Sequence, residues 1–300
     1  MSAAPAGGRR PGERPSGPPA RPPAQRTGAP RPAADTSGAA PGAAPPGPVA
    51  LAPAPGLWPA LGAVYRAQLS RARVARIPLL FVATFQSLGI LVLLRGVVDP
   101  GPGEAARAVV AGSTVLVVAF VALNLLAQHF GRLRASGGLD HYATLPVPAA
   151  AVALGTAAAY ASFTLPGAAV TAVTGSVLYE LPMGGLWLLA AVVPLAGAAL
   201  AGLGAALGLL APRPELATLC GQLGMSAALL LGVLPASRMP APVQLVRDLL
   251  PSTYGVEALA AVLRPDPQWD AVAVGLTVCT VAGAAALALA TWSYRRAATR

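Results

Sequence analysis

Long apolar blocks separated by short polar segments run through most of the chain, and this pattern predicts an all-α, polytopic membrane protein. A helix needs about 20 mainly apolar residues to cross the hydrocarbon core of a bilayer, and a charge near its centre is costly. Six windows of that length are nearly free of charge. They cover approximately residues 78–98, 108–130, 149–177, 184–210, 216–236 and 271–292.

An amphipathic segment precedes the first block. Between Leu57 and Arg76, apolar residues recur at three- and four-residue steps, while Arg66 and Arg73 flank that face and Arg71 lies opposite. The apolar face consists of Trp58, Leu61, Tyr65, Leu69 and Ala72. The segment is too charged to cross a bilayer, so we predict an interfacial helix over residues 56–77 that lies on the membrane surface.

Composition and the six apolar windows predict the remaining domain limits. Residues 1–55 are rich in Pro, Ala, Gly and Arg and contain no aromatic residue, which is typical of a disordered tail. The six-span domain is expected to cover residues 78–298.

Two segments interrupt the apolar pattern within that domain. Residues 131–148 form a short polar loop between the second and third spans. Residues 239–268 are longer and semi-apolar, and Pro251 divides them. Two short helices broken at Pro251 fit this pattern. We expect them to form a re-entrant pair that dips into the outer leaflet and returns, covered by protein where the backbone is broken.

The composition supports a membrane protein. The chain is 55% hydrophobic and 11% charged, with a mean hydropathy of +0.62, whereas soluble domains carry about 25% charged residues. All 21 basic residues are arginine, and Ala, Gly and Pro are abundant, which indicates a GC-rich bacterial genome. The net charge of +10 is spread over the tail and the loop ends, so we expect a lipid bilayer and no nucleic acid as partner.

The arginines also predict the orientation. An even number of spans places both termini on one side, and that side carries 16 of the 21 arginines. By the positive-inside rule both termini are cytosolic, in the bacterial cytoplasmic membrane. The loop 131–148 is then inside and the segment 239–268 outside.

Candidate chemistry is sparse. Without lysine the chain has no conventional P-loop, so it is not its own ATPase. His129 and His141 have no metal-binding spacing, and Cys220 and Cys279 lie in apolar runs. We therefore predict no catalytic residue, no metal and no cofactor.

A few residues inside the spans remain open to two interpretations. The polar ones either line a substrate route or form hydrogen bonds between helices; they are Gln86, Asn124, Gln128 and Gln222. No acidic residue lies mid-span, which favours an external ATP-driven motor over proton-driven transport. Gly204 and Gly208 form a Gly-x-x-x-Gly pair, a weak dimerisation signal.

The order of these features resembles the type-2 exporter permeases of ATP-binding cassette (ABC) transporters, a group that includes daunorubicin-resistance and polysaccharide-export permeases. Residues 136–147, SGGLDHYATLPV, are similar to the inner loop of that family. Pro251, Thr253 and Tyr254, followed by Glu257 and Arg264, are similar to its element between the fifth and sixth spans. The resemblance covers approximately residues 57–298. The family often carries acidic residues where this chain has Arg134, Ala135 and Ser136.

The resemblance implies a partner and a site. The loop would form a coupling helix that docks in a cleft of a separate ABC ATPase subunit, two of which serve each transporter; the alternative is a plain solvated connector. The coupling residues are Gly138, Leu139, Asp140, His141 and Tyr142. Partner specificity is expected to differ at Arg132 and Arg134.

The sequence thus predicts a permease subunit that pairs with a second permease chain, identical or different. Its apolar spans predict outward movement of an amphipathic or hydrophobic small molecule. The alternatives are export of a lipid-linked glycan by the same architecture, a membrane-embedded lipid-modifying enzyme, and a scaffold that recruits partners through its tail.

Overall fold

The computed structural model describes residues 56–75, 77–96, 103–233 and 240–298, and every regular element in these ranges is helical. The predicted tail, residues 1–55, lies outside the described residues. A π-helical segment (Ala119–Leu125) joins the helix that ends at Val118 to the one that begins at Leu126, and a 3-10 turn (Leu186–Leu188) precedes the helix that begins at Leu189. The helices are α1 (Leu57–Ala75), α2 (Ile77–Arg95), α3 (Glu104–Val118), α4 (Leu126–Ala135), α5 (Gly138–Ala143), α6 (Ala149–Leu178), α7 (Leu189–Leu210), α8 (Pro214–Val233), α9 (Ala241–Leu249), α10 (Pro251–Val262) and α11 (Trp269–Ala298).

Six helical units in these ranges are long and apolar enough to cross a membrane, which confirms the predicted number of spans. They are α2, the continuous unit Glu104–Ala135, α6, Leu186–Leu210, α8 and α11. The second unit is longer than the predicted window 108–130 at both ends. It includes Arg107, Arg132 and Arg134, which lie outside the charge-free window from which the span was predicted.

The unit Glu104–Ala135, here called the central helix, forms the core of the bundle. Within its apolar window 94% of the residues are buried, against 17% for α2 and 28% for α11. Helices α2, α6, α7, α8 and α10 pack around it, and α11 packs on the far side of α7 and against α10. The central helix is therefore shielded by protein along nearly its whole length.

Glycines on α7 allow this close packing. A Cβ atom added to Gly204 would lie 2.4 Å from the carbonyl oxygen of Leu123, and one added to Gly208 would lie 2.4 Å from that of Ala127. Both glycines thus bring α7 against the backbone of the central helix. The interpretation of Gly204 and Gly208 as a dimerisation signal is wrong, because the central helix of the same chain covers them.

Helix α1 packs along α6. The Tyr65 hydroxyl donates a hydrogen bond to Ser162 Oγ at 3.2 Å, and the Leu61 carbonyl oxygen would lie 3.0 Å from a Cβ on Gly155. Leu61, Tyr65 and Leu69 are half-buried, whereas Trp58 is exposed. The helix predicted for this segment is present. Its position at the membrane surface stays a prediction, and the Ala72 side chain lies outside the described ones.

The segment before the last span forms two short helices, α9 and α10, and the break falls at Pro251 as predicted. Most residues of α10 are buried, because it packs against the central helix, α7 and α11. A Cβ on Gly275 of α11 would lie 2.8 Å from the carbonyl oxygen of Tyr254. Protein therefore covers the second helix of the pair, whereas residues 241–245 of α9 are exposed.

A hydrogen bond from a buried tyrosine links the C-terminal end of α6 to α2. The Tyr179 hydroxyl donates a hydrogen bond to the Leu91 carbonyl oxygen at 2.9 Å. Burial raises the pKa of Tyr179, and the nearby Arg95 opposes that rise. The hydroxyl therefore keeps its proton, and its donor role, at physiological pH.

Substituting Gly204 by alanine should destabilise the bundle, because the new Cβ meets a backbone oxygen that cannot move aside alone. Overpacking of this kind typically costs about 1–3 kcal/mol. Gly89→Ala in α2 is the matched control, since its Cβ would meet no atom within 4 Å. Thermal unfolding of the purified protein in detergent should show a lower midpoint for Gly204→Ala than for Gly89→Ala. Equal midpoints would contradict the packing role of Gly204.

Candidate functional site

Two consecutive glycines shape the turn from the central helix into α5. Gly137 has a φ of +69°, in the left-handed region that glycine adopts most easily. Gly138 is close-packed: a Cβ there would lie 2.5 Å from Leu133 Cδ1. The first glycine reverses the chain, and the second lets α5 approach the helix that it has just left.

The two faces of α5 have different surroundings. Leu139 is only 4% exposed and belongs to the main hydrophobic core, and Tyr142 packs against the same core. Asp140 and His141 are exposed, as is Thr144 after the helix. The five predicted coupling residues therefore lie on one short helix but divide by face. Leu139 and Tyr142 anchor it to the bundle, while Asp140 and His141 are available to a partner.

Arg134 connects the end of the central helix to α7. Its Nη1 donates hydrogen bonds to the carbonyl oxygens of Leu209, at 2.8 Å, and Ala211, at 2.9 Å. The last carbonyls of a helix have no partner within the helix, and a cation near them is favourable. Arg134 is thus engaged within this chain, whereas Arg132 is exposed and donates to Gln128 Oε1 at 3.0 Å.

Two of the four predicted route residues are bonded to each other. Gln128 Nε2 donates to Asn124 Oδ1 at 3.1 Å, so Asn124, Gln128 and Arg132 form a hydrogen-bonded ladder along one face of the central helix. Asn124 is buried in the π segment beside α8, where a Cβ on Gly221 would lie 2.9 Å from its Oδ1. The ladder runs from mid-bundle to the loop 131–148.

The other two route residues lie elsewhere. Gln86 and Gln222 are exposed on α2 and α8. The structure therefore brings Asn124 and Gln128 together but leaves Gln86 and Gln222 on the outside of the bundle.

The predicted re-entrant motif holds α9 to α10. Thr253 Oγ1 donates a hydrogen bond to the Arg247 carbonyl oxygen at 2.8 Å, and the Tyr254 hydroxyl donates to that of Asp248 at 3.0 Å. Both acceptors lie in the last turn of α9, where backbone carbonyls lack helical partners. Pro251 takes the first position of α10, which needs no N–H donor.

An apolar cavity of about 370 Å³ lies beside this turn. The central helix, α7, α8 and the turn from α9 to α10 line it. The lining residues are Leu123, Leu200, Leu203, Leu207, Leu223, Gly224, Ala227, Leu250 and Pro251. Such a cavity can hold a hydrophobic group but offers no polar side chain to bind it.

Potential metal ligands are scattered over the described ranges. No three His, Cys, Asp or Glu side chains come together there in a way that could hold a metal ion. His129 lies near aromatic rings, with its ring centre 5.5 Å from that of Phe130 and 5.7 Å from that of Tyr160.

Two features of the site were not predicted. The first is the π segment that contains Asn124. The only sequence signal for it was an amide side chain within a long apolar run. The apolar cavity depends on how α7, α8 and the α9–α10 turn meet, and no local sequence pattern reports such a meeting.

In the described ranges, six spans, the α9–α10 hairpin with its second helix covered by protein, and a short helix displayed at one end define a multi-pass membrane protein. Residues 61–263 match the sequence model of the family described as ABC-2 type transporter. This match covers more than half of the chain, so the protein belongs to the ABC-2 type transporter family. Proteins of this family are permease subunits rather than enzymes, and they associate with ABC ATPase subunits. No curated protein matches the chain.

The division of α5 into two faces can be tested by stability alone. Leu139→Ala should cost about 2–5 kcal/mol, the range for truncating a buried leucine, whereas His141→Ala should stay within about 0.5 kcal/mol, as exposed substitutions do. Thermal unfolding of both purified variants would measure the difference. A large loss for His141→Ala with none for Leu139→Ala would reverse the assignment of the faces.

Proposed function

We propose that this chain is the permease subunit of an ABC exporter that moves an amphipathic or hydrophobic small molecule outward. Two separate ATPase subunits would supply the energy, and a second permease chain, identical or different, would complete the route. The observation that carries this proposal is the pair Asp140 and His141, exposed on a short helix whose opposite face is anchored in the bundle.

The contacts around α5 provide a route for movement. Leu139 packs into the same core as the central helix, and Arg134 ties that helix to the end of α7. Packed helices move as rigid units, so a displacement of α5 is passed to both. In the proposed mechanism, ATP-driven closure of the ATPase subunits pushes on Asp140 and His141 and shifts the central helix together with α7.

The apolar cavity supports a hydrophobic cargo. Its volume of about 370 Å³ falls within the usual range of small-molecule sites, about 300–1,000 Å³. Movement of the central helix or α7 would change its shape, because Leu123 and Leu207 are among its lining residues. A lipid-linked glycan is the alternative cargo, since the apolar walls could hold its lipid part.

The exposed glutamine on α8 supports a second permease chain. Gln222 lies within a span, and an amide group facing hydrocarbon without a partner is unfavourable. The next two residues, Leu223 and Gly224, line the apolar cavity. We therefore place the second chain against α8, so that the route between the two chains passes beside this cavity.

Orientation completes the proposal. The arginine-rich segments of the sequence, which include both terminal segments and the loop that carries α5, favour a cytosolic position for that side, in the bacterial cytoplasmic membrane. The turn between α10 and α11 then faces outward, and α5 faces the compartment that contains ATP.

The double substitution Asp140→Ala, His141→Ala should weaken retention of the ATPase without lowering the stability of the permease, since both side chains are exposed. The measurement is the amount of ATPase, and the ATP hydrolysis, that co-purifies with the tagged chain from its native host. Asp266→Ala is the control, because Asp266 is exposed at the opposite end. If the double variant retains as much ATPase as the control, α5 is only a connector.

Orientation can be tested by cysteine labelling in a Cys220→Ala, Cys279→Ala background. Ser136→Cys and Asp266→Cys place a thiol at exposed positions at the two ends of the bundle. A membrane-impermeant maleimide added to intact cells should label only Asp266→Cys, and permeabilised cells should allow labelling of Ser136→Cys. Labelling of Ser136→Cys in intact cells would show that the topology is the reverse of the proposed one.

A further inference from the structure

A second, polar cavity lies at the end of the bundle opposite α5, with a volume of about 270 Å³. The start of the central helix, the end of α8, both helices of the hairpin and the turn after α10 contribute to it. Its charged lining residues are Glu104, Arg107, Arg247, Glu257 and Arg264. Three guanidinium groups and two carboxylates thus line the cavity, and the carboxylate of Asp248, which pairs with Arg247, lies nearby.

Arg247 is largely buried, with only 12% of its side chain exposed. Its Nη2 donates to Glu257 Oε1 at 2.6 Å, and its Nη1 lies 3.6 Å from Asp248 Oδ1. Its Nε is buried and has no hydrogen-bond partner within the described part of the chain. A guanidinium carries five N–H donors in a planar fork that matches oxyanions, so Arg247 has bonding capacity left for an oxyanion in the cavity.

Glu257 differs from Arg247 in its exposure. Its side chain is 45% exposed, so solvent weakens its hold on Arg247. A ligand oxyanion could take its place at Arg247, and the displaced carboxylate would remain hydrated. Arg107 and Arg264, which line the same cavity, would add their charge to that of Arg247.

The polar cavity is close to the apolar one. Both are bordered by α8, the apolar cavity at Ala227 and the polar cavity at Gly232. Five residues of helix span about 7.5 Å. On the hairpin, Leu250 lines the apolar cavity and Arg247, three residues earlier, lines the polar one. A single amphipathic molecule could therefore reach both.

From this arrangement we infer that the polar cavity binds a phosphate-type oxyanion, and that the exporter's cargo class is an anionic amphipath with its apolar part in the neighbouring cavity. The role in export rests on the proposed function, whereas the binding itself does not. Arg247 and Arg264 would hold the oxyanion through charge-assisted hydrogen bonds, which are the strongest kind in proteins.

Binding can be measured on the purified full chain in uncharged detergent, by titration with the shift in thermal midpoint as readout. The probes are inorganic phosphate, dihexanoyl phosphatidic acid and uncharged dihexanoylglycerol. We expect saturable stabilisation by dihexanoyl phosphatidic acid and none by dihexanoylglycerol. If inorganic phosphate binds equally well, the site recognises the free anion; if it binds more weakly, the amphipath is the better ligand. Both results support the oxyanion site, whereas only the second supports an amphipathic cargo.

Three variants identify the location of the site. Arg264→Gln should weaken phosphatidic acid binding about tenfold or more, since it removes a charged partner from a half-exposed position. Glu257→Gln should strengthen binding, because the competing carboxylate is lost. Arg132→Gln, an exposed arginine at the other end, should leave binding unchanged.

Two results would overturn the inference: no saturable shift with either phosphate probe, or equal affinity in wild type and Arg264→Gln. Neither result touches the ATPase-retention test at Asp140 and His141. Conversely, loss of the coupling role would leave the oxyanion site intact. The two proposals therefore fail separately.

Discussion

The structure depends on close backbone contact between the central helix and its neighbours. The π segment widens the central helix at mid-bundle, and a wider turn needs space beside it. Gly204 of α7 and Gly221 of α8 provide that space on two sides, since a Cβ on either would meet backbone or amide atoms of this segment. Because both neighbours meet it without side chains, the central helix can be buried almost completely and still carry the polar Asn124 at its centre.

That burial makes the central helix a single mechanical element between the two ends of the bundle. At 32 residues it measures about 48 Å. One end continues into the turn that carries α5, and the other begins with Glu104 and Arg107 at the polar cavity. In the proposed mechanism, the same rigid unit contacts the ATPase-facing helix and the oxyanion site, so occupancy at one end and nucleotide state at the other are coupled through one body.

Much of this architecture could be predicted from the sequence, because the hydrocarbon core imposes a minimum length on each span and a proline between two short semi-apolar stretches favours the start of a new helix. Pro166 and Pro194, in long apolar runs, lie inside α6 and α7 instead. The six spans and the break at Pro251 follow from these two rules. The ends of the central helix could not be predicted from these rules. Arg107, Arg132 and Arg134 lie where the helix leaves the apolar region, and charge is tolerated there. The buried and exposed faces of α5 could not be predicted either, because six residues give no reliable periodicity. Only the surrounding core shows that Leu139 points inward while His141 does not. The Gly204–Gly208 pair was misleading for the same reason, because a small-residue motif specifies close approach but not which helix approaches.

The two hydrogen bonds of Arg134 limit which segments can be grafted from one permease of this family to another. The family often has acidic residues in the stretch before the loop glycine, where this chain has an arginine that caps α7 at Leu209 and Ala211. A graft of the loop 131–148 from an acidic relative would bring carboxylates against those carbonyl oxygens and leave the end of α7 without its cap. The transferable module is therefore the loop together with the turn that follows α7, two segments that are distant in sequence but joined through the hydrogen bonds of Arg134. A chimeric permease that keeps the end of α7 capped would then have to change both places at once.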